Sequence, residues 1–214
     1  MPGPRGQGGE LSGRSDGGGP GAQPELHLSQ DAAADDLLSR DPFALLLGML
    51  LDQQFPMEKA FAGPFVLARR LGVDRLDPAS VAAIDPGDFA ALMAGPPAVH
   101  RYHTSMASRV QTLAAHVARE HGGDARAVWS GVPTGAALVA RLRALPGFGD
   151  TKARIFTALL GKQCGVRPPG WEQAAGDYGL PGRRSVADVV DAVSLAEVRA
   201  TKQAARRAAS GPPA

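Results

Sequence analysis

Apolar residues recur along this chain at the three- and four-residue spacing of amphipathic helices. The alternating β-branched runs that mark strands are missing. Residues 43–51 are apolar at nearly every position, which predicts a central helix buried on all sides. The pattern therefore predicts an all-α fold with its core around this segment.

Helix boundaries follow from caps, prolines and glycines. Asp before Pro provides an N-cap and a first-turn proline, and this pair occurs at Asp41-Pro42, Asp77-Pro78 and Asp85-Pro86. Gly72 and Gly122 mark two helix ends. The predicted helices are residues 43–54, 56–71, 78–84, 86–93, 104–120, 134–143, 150–164 and 194–209.

Glycine and proline crowd the N-terminus of the 214-residue chain, which has 27 Gly and 18 Pro. Residues 1–24 carry almost no large apolar side chain, which predicts a disordered tail. We expect one helical domain over residues 25–182, large enough to bury a single core. A basic C-terminal helix and tail would follow over residues 183–214.

Cys164 is the only cysteine, so an internal disulfide, a four-cysteine zinc site and a four-cysteine iron–sulfur cluster are excluded. We expect Cys164 to be buried as a small apolar residue. The sequence has neither a secretory signal nor an apolar run of about 18 residues. A soluble cytoplasmic protein with no membrane partner is therefore expected.

Charge is unevenly distributed, although the net charge is only +2. Residues 1–99 carry 7 Lys and Arg against 13 Asp and Glu, whereas residues 100–214 carry 16 against 8. A basic half suits a polyanionic partner, but a solvated basic surface has the same composition.

The most informative motif is the segment Leu-Pro-Gly-Phe-Gly-Asp-Thr-Lys at 145–152. It predicts a tight hairpin between two helices, with Gly147 and Gly149 allowing a positive φ or the close approach of another backbone. Backbone N–H groups at the start of the second helix, near Gly149, Thr151 and Lys152, favour an anion such as phosphate. Lys152 and Arg154 would add charge. The alternative is a plain corner between two helices.

This hairpin resembles the helix-hairpin-helix of the endonuclease III and 3-methyladenine DNA glycosylase superfamily (HhH-GPD), and the resemblance extends over most of residues 35–180. Residues 47–54 are similar to the family helix that ends in a glutamine pair, here Gln53 and Gln54. Residues 100–110 are similar to its Tyr-Arg-x-Lys-Ala segment. A lone hairpin also occurs in polymerases, ligases and helicases, whereas three stretches in order favour this superfamily.

The resemblance implies a two-lobed all-helical fold with a cleft between the hairpin and the glutamine helix. A damaged base of double-stranded DNA would be extruded into it. The protein would then be a base-excision repair enzyme, monomeric and without an organic cofactor, associated with the nucleoid in a bacterium. In relatives, backbone carbonyls hold a monovalent cation, K⁺ or Na⁺, and the matching carbonyls are those of Arg143, Leu145 and Phe148.

Glycosidic-bond cleavage needs a carboxylate near C1′. The family aspartate would fall at residues 169–171, where no acid stands, which leaves Glu172 and Asp177 as candidates and Asp52 as a further one. The family lyase lysine falls on Thr151, so a monofunctional glycosylase is expected. The alternatives are a catalytically inactive damage-binding or scaffold protein and a helical protein-interaction domain.

Several other side chains have two possible roles. Gln53 and Gln54 would fill the gap left by a flipped base or simply cap a helix. Trp171 and Tyr178 would stack on the base or pack in the core. Histidines at 100, 103, 116 and 121 have no zinc-site spacing with the cysteine and are expected at the surface or facing phosphate. The basic residues of the last helix, Arg199, Lys202, Arg206 and Arg207, would lie along DNA or in solvent.

Overall fold

A computed structural model describes residues 23–182 and 184–210, which fold entirely into helices and connecting turns. The predicted tail, residues 1–24, lies almost wholly outside the described residues. Within the described part there are ten α-helices, three short 3₁₀ turns and no strand, so the all-α prediction is confirmed. The helices are α1 (Ala32–Arg40), α2 (Pro42–Leu51), α3 (Met57–Leu71), α4 (Pro78–Ala83), α5 (Pro86–Ala94), α6 (His103–Glu120), α7 (Gly135–Arg143), α8 (Asp150–Gln163), α9 (Trp171–Ala175) and α10 (Ala192–Ser210).

Helix α2 is the centre of the core, as the sequence predicts. Asp41 caps it, because its carboxylate accepts from the N–H groups of Phe43 and Ala44 at 2.9 and 3.2 Å. Every residue from Phe43 to Leu51 is buried. The other carboxylate oxygen of Asp41 accepts from Leu76 N–H at 2.8 Å, which ties the start of α2 to the segment before α4.

The remaining helices pack around α2. Helices α1 and α3 contact it directly, whereas α4 and α5 pack on α6. Helices α7 and α8 form the predicted hairpin, and α9 covers both of them. Four residues of α6, Met106, Val110, Leu113 and Val117, form its buried stripe, as their spacing predicts.

Two helices were missed by the sequence pattern. Helix α1 lies before the first helix that the sequence predicts, and Asp31 caps its N-terminus. Helix α9 lies inside a proline- and glycine-rich segment and continues into a 3₁₀ turn, Gly176–Tyr178. Because α9 is short and begins after a left-handed glycine, it lacks the apolar periodicity on which a prediction depends.

The chain beyond residue 183 shares the same core. Val186, Val189, Leu195 and Val198 are buried together with residues of the preceding helices. Lys162 of α8 donates to Asp188 Oδ1 at 2.6 Å, and Gln163 donates to the carbonyls of Ala187 and Val189. The division into residues 25–182 and 183–214 stays a prediction, but α10 is anchored to the body of the protein.

Among the described residues, none of the helices has the length and apolar character needed to cross a membrane.

Candidate functional site

A cleft of about 960 Å³ opens between segments that are far apart in the sequence. Asp52 and Gln54 line it from the end of α2, Thr151 and Arg154 from the start of α8, and Asp177 and Tyr178 from the turn after α9. Residues of α10 form the remaining wall. Gln54, Thr151 and Arg154 therefore meet Asp177 and Tyr178 at one cleft, which the other predicted DNA-binding residues do not line: Gln53, Gly147, Gly149 and Lys152.

The glutamine pair lies on a turn, so the predicted end of this helix at Gln54 is wrong. Helix α2 ends at Leu51, and the Gln53 N–H folds back onto the Leu51 carbonyl at 2.7 Å. Gln54 has a φ of 51°, in the left-handed region. Pro56 disfavours a helical backbone at the residue before it, which prevents α2 from continuing. We call Gln53 and Gln54 the Gln turn; both side chains are exposed.

His100 is fully buried beneath the Gln turn, so the prediction of a surface or phosphate-facing histidine is wrong at this position. Its Nε2 lies 3.1 Å from the Gln53 carbonyl, and its Nδ1 accepts from the Tyr102 N–H at 3.0 Å. Because a carbonyl only accepts, these partners assign the proton to Nε2. Burial, with Arg101, Lys152 and Arg109 nearby, lowers the pKa of His100 below 6.5 and keeps the ring neutral.

The two hairpin glycines differ in their surroundings. Gly147 has a φ of 82°, and a Cβ there would come within 2.5 Å of the Leu50 side chain. Gly149 has a φ of −84° and is exposed, and a Cβ there would meet nothing within 4 Å. Only Gly147 is therefore required by the fold of the hairpin itself.

The start of α8 has no side-chain cap, because its N-cap residue is Gly149. Its first backbone N–H groups point out of the helix without an intrahelical acceptor. Asp150 stands in the first turn, where it contacts Arg143 at 3.4 Å and Arg154 at 2.7 Å. The hydrogen bond from Arg154 lowers the pKa of Asp150. The start of α8 thus carries exposed backbone N–H groups beside a carboxylate that is already paired with two arginines.

Lys152 has intramolecular partners. Its Nζ donates to the carbonyls of Met49 and Leu50 at 2.7 Å each, so it caps the C-terminal end of α2. Burial lowers the pKa of Lys152 to about 8, against the opposing effect of Asp52. Arg154 donates to the Ala174 carbonyl at 2.8 Å. The phosphate contacts of both residues stay predictions.

The candidate carboxylates lie in different places. Asp177 is exposed and lines the cleft, and the half-buried Asp52 lines it from the other side of the Gln turn. Glu172 is exposed on α9 and does not line the cleft. Helix α9 and the 3₁₀ turn thus bring Asp177 to the cleft from beyond residues 169–171, where the family spacing places the acid.

The two candidate stacking residues also separate. Tyr178 is half-buried and lines the cleft. Trp171 packs against α8 instead, where its ring occupies the space that a Cβ at Gly161 would need. Of the two candidates, Tyr178 is therefore the one that a ligand in the cleft can contact, and Phe55 also lines the cleft.

Helix α10 carries the basic residues that the sequence predicts either along DNA or in solvent. Arg199 and Lys202 line the cleft, and Arg199 pairs with Glu58 of α3. Arg207 is exposed and does not line it, and the side chain of Arg206 is outside the description. Arg184 also lines the cleft and was missed, because it precedes α10 in an aperiodic segment.

The carbonyls of the predicted cation site belong to the hairpin loop. The carbonyl of Leu145 accepts from the Phe148 N–H at 3.1 Å, which leaves a second lone pair. Carbonyl oxygens suit a monovalent cation, so the donor set fits such an ion. Elsewhere in residues 23–182 and 184–210, no group of three or more His, Cys, Asp or Glu side chains could hold a metal ion.

Comparison with known proteins gives no match to a protein-family model, to a curated protein or to a solved structure.

Proposed function

We propose that this protein binds double-stranded DNA in base-excision repair as a monofunctional DNA glycosylase that hydrolyses the N-glycosidic bond of a damaged base. The observation that carries the proposal is the cleft shared by Gln54, the start of α8 and the Asp177–Tyr178 segment. We further propose that the ten helices form the two-lobed HhH-GPD fold, with the hairpin on one side of the cleft.

The size and lining of the cleft support an extruded nucleotide as its ligand. Ligand pockets for small molecules commonly measure about 300–1,000 Å³, and this cleft is at the upper end. Tyr178 offers a ring for stacking, and Gln54 lies at the edge where an amide would occupy the gap left in the duplex. The uncapped start of α8 and the open Gly149 would hold a backbone phosphate.

The chemistry assigned to the cleft is hydrolysis. Water adds to C1′ of the sugar, the C1′–N bond breaks, and the base leaves with the bonding electron pair and a proton. A carboxylate near C1′ stabilises the positive charge of the sugar or accepts the proton of the water. Asp177 is the first candidate for this role and Asp52 the second, since both line the cleft.

A lyase step needs a free amine next to the sugar. Thr151 stands in the cleft at the position of the family lysine, and the Lys152 amine is bonded to two α2 carbonyls. This arrangement supports a monofunctional enzyme. A monovalent cation on the carbonyls of Arg143, Leu145 and Phe148 would add positive charge beside the phosphate.

A second candidate function is damage binding without catalysis. The absence of an acid at residues 169–171 favours it. The same cleft would then hold an extruded base but leave the glycosidic bond intact.

The experiment is an incision assay on duplexes that carry uracil, alkylated, oxidised or mismatched bases, each with and without hot alkali. Strand breaks that need alkali would support the monofunctional glycosylase, and breaks without alkali would contradict it. Binding to an abasic-site analogue without any cleavage would favour the second candidate. Equal affinity for damaged and undamaged duplexes, with no cleavage, would contradict both.

The carboxylates provide matched variants for any duplex that is cut. We expect Asp177→Asn to reduce cleavage by about 100-fold or more with little change in duplex affinity, because it removes charge stabilisation of the transition state. Glu172→Gln changes a carboxylate of the same segment outside the cleft and should cleave like the wild type. If Asp52→Asn abolishes cleavage and Asp177→Asn does not, the roles are reversed.

A further inference from the structure

The Gln turn is supported from below by two segments, one entering α6 and one from α8. His100 bonds to the Gln53 carbonyl from within the protein, and Arg101 reaches the Gln54 carbonyl at 3.5 Å. Arg109 of α6 donates to the Gln53 side-chain oxygen at 2.8 Å. Lys152 holds the carbonyls of Met49 and Leu50 in the last helical turn of α2.

Without such contacts, the backbone of the Gln turn would have no reason to keep its conformation. A residue other than glycine in the left-handed region is uncommon and costs conformational energy, so the surroundings must impose it. The Gln54 φ of 51° is one of only two such values at non-glycine residues in the described chain. Of the two residues of the Gln turn, Gln54, which has the left-handed backbone, is the one that lines the cleft.

We propose that His100 is a positioning residue that holds the Gln turn in its left-handed conformation for contact with damaged DNA. The inference rests on the proposed function for the DNA contact, whereas the effect on the turn concerns the free protein. His100 couples the turn to the start of α6, because the same neutral ring donates to Gln53 and accepts from Tyr102. Arg109 adds a second contact to the turn, because it donates to the side-chain oxygen of Gln53.

The mechanism predicts a dependence on pH. Protonation of Nδ1 would place an N–H against the Tyr102 N–H and break the link to α6. Burial and the charges of Arg101, Arg109 and Lys152 disfavour protonation of the ring, whereas its hydrogen bond to the Gln53 carbonyl favours protonation. The link between the Gln turn and α6 is therefore intact at pH 6.5 and above and is lost as the pH falls through the lowered pKa of His100, whereas Nε2 still donates to the Gln53 carbonyl.

The first arm of the test uses the free protein. NMR chemical shifts and the H^N–Hα coupling of Gln54 report a positive φ. We expect this signature in the wild type, and its loss in His100→Phe and His100→Gln while the rest of the spectrum stays folded. Two variants are used because Phe alone could fail to fold. Retention of the signature in a folded His100 variant would overturn the proposal.

The second arm measures affinity for a duplex with an abasic-site analogue. We expect the His100 variants to bind this duplex about 10-fold more weakly. Without His100, part of the binding free energy would be spent on returning Gln54 to its left-handed conformation. Adding Gln54→Asn should restore most of the affinity, since Asn tolerates the left-handed backbone and keeps an amide. A restored turn without restored affinity would overturn the DNA part of the proposal.

The pH profile separates positioning from a merely structural role. Wild-type affinity, relative to His100→Gln, should fall as the pH drops from 7 to 5. His103→Gln changes a neighbouring half-buried histidine and should retain the wild-type profile. Parallel profiles for His100→Gln and the wild type would contradict the proposal. If the wild type binds no duplex, the proposed function fails, and the NMR arm alone decides the role of His100.

Discussion

Gly147 and Gly149 stand close together in the hairpin, but they meet different constraints. Gly147 has a positive φ, and a Cβ at this position would collide with the Leu50 side chain, so the fold of the protein itself accounts for a glycine here. Gly149 has an ordinary φ and open space around it, so nothing within the described protein requires a glycine there. An external backbone that approaches the start of α8 would give such a requirement.

The two glycines therefore predict opposite results for the same substitution. Gly147→Ala should lower the free energy of unfolding by about 1–3 kcal/mol, because of strain and overpacking. Gly149→Ala should change it by less than about 1 kcal/mol yet weaken binding to damaged duplex DNA. Chemical denaturation and fluorescence anisotropy measure the two effects. Wild-type affinity in Gly149→Ala would show that no phosphate approaches this glycine.

Lys152 illustrates how burial turns a basic residue into a structural one. Its pKa of about 8 in the folded protein is below its ordinary value of 10.5. Between these two pH values the unfolded chain binds more protons than the folded one, so this residue makes the protein more stable as the pH rises.

We expect the unfolding free energy of the wild type, relative to Lys152→Met, to increase by about 2 kcal/mol between pH 7 and pH 10. Lys152→Met serves as the reference, because every other titrating group cancels in the difference. Guanidinium denaturation at the two pH values measures it. A constant difference would show that the Lys152 amine has an ordinary pKa.

At the scale of elements, the packing of α10 decides which of its basic residues line the cleft. Helix α10 is held to α3 by the Arg199–Glu58 ion pair and to the core by Leu195 and Val198. Its position places Lys202 in the cleft and leaves Arg207 exposed away from it. The helical spacing of its basic residues does not by itself distinguish these two environments.

The cations of α10 predict a difference in salt dependence. Lys202→Gln should reduce the slope of log affinity against log salt by about 1, as expected when one phosphate contact is lost. Arg207→Gln removes the same charge outside the cleft and should leave the slope almost unchanged. Equal slopes for both variants would show that Lys202 makes no specific phosphate contact.

At the scale of the whole molecule, one hydrophobic core extends from Leu26 to Val198. The segment after residue 183 contributes Val186, Val189, Leu195 and Val198 to it. Each buried side chain of this size stabilises the folded state by about 1.5–3 kcal/mol. Their sum is comparable to the total stability of an ordinary domain, about 5–15 kcal/mol.

A chain that ends at Gly182 should therefore lose its cooperative thermal transition, or at least show a greatly lowered midpoint. A chain that begins at Gln23 should melt like the full protein, since the sequence predicts no core residue in the removed tail. Calorimetry or circular dichroism measures both. A stable, cooperative fragment that ends at Gly182 would support the division at residue 183 into separate units.

Sequence patterns predicted much of the fold because they depend on neighbouring residues. Capping by Asp41, Asp77 and Asp85 and the stripe of α6 involve partners within one or two helical turns. The order of hairpin and glutamine pair is likewise visible along the chain. For these features, the residues whose pattern predicts the structure lie close together in the sequence.

Other features depend on partners far along the chain. Lys152 meets Met49 across 103 residues, and His100 meets Gln53 across 47. The position of Asp177 in the cleft and the packing of Trp171 on Gly161 also depend on contacts between different helices. The sequence by itself thus determined eight of the ten described α-helices, the aspartate caps of three of them and the hairpin. Only the tertiary structure decided which charges are buried, where α2 ends and which carboxylates share the cleft, because burial and long-range hydrogen bonds exist only once the helices have packed.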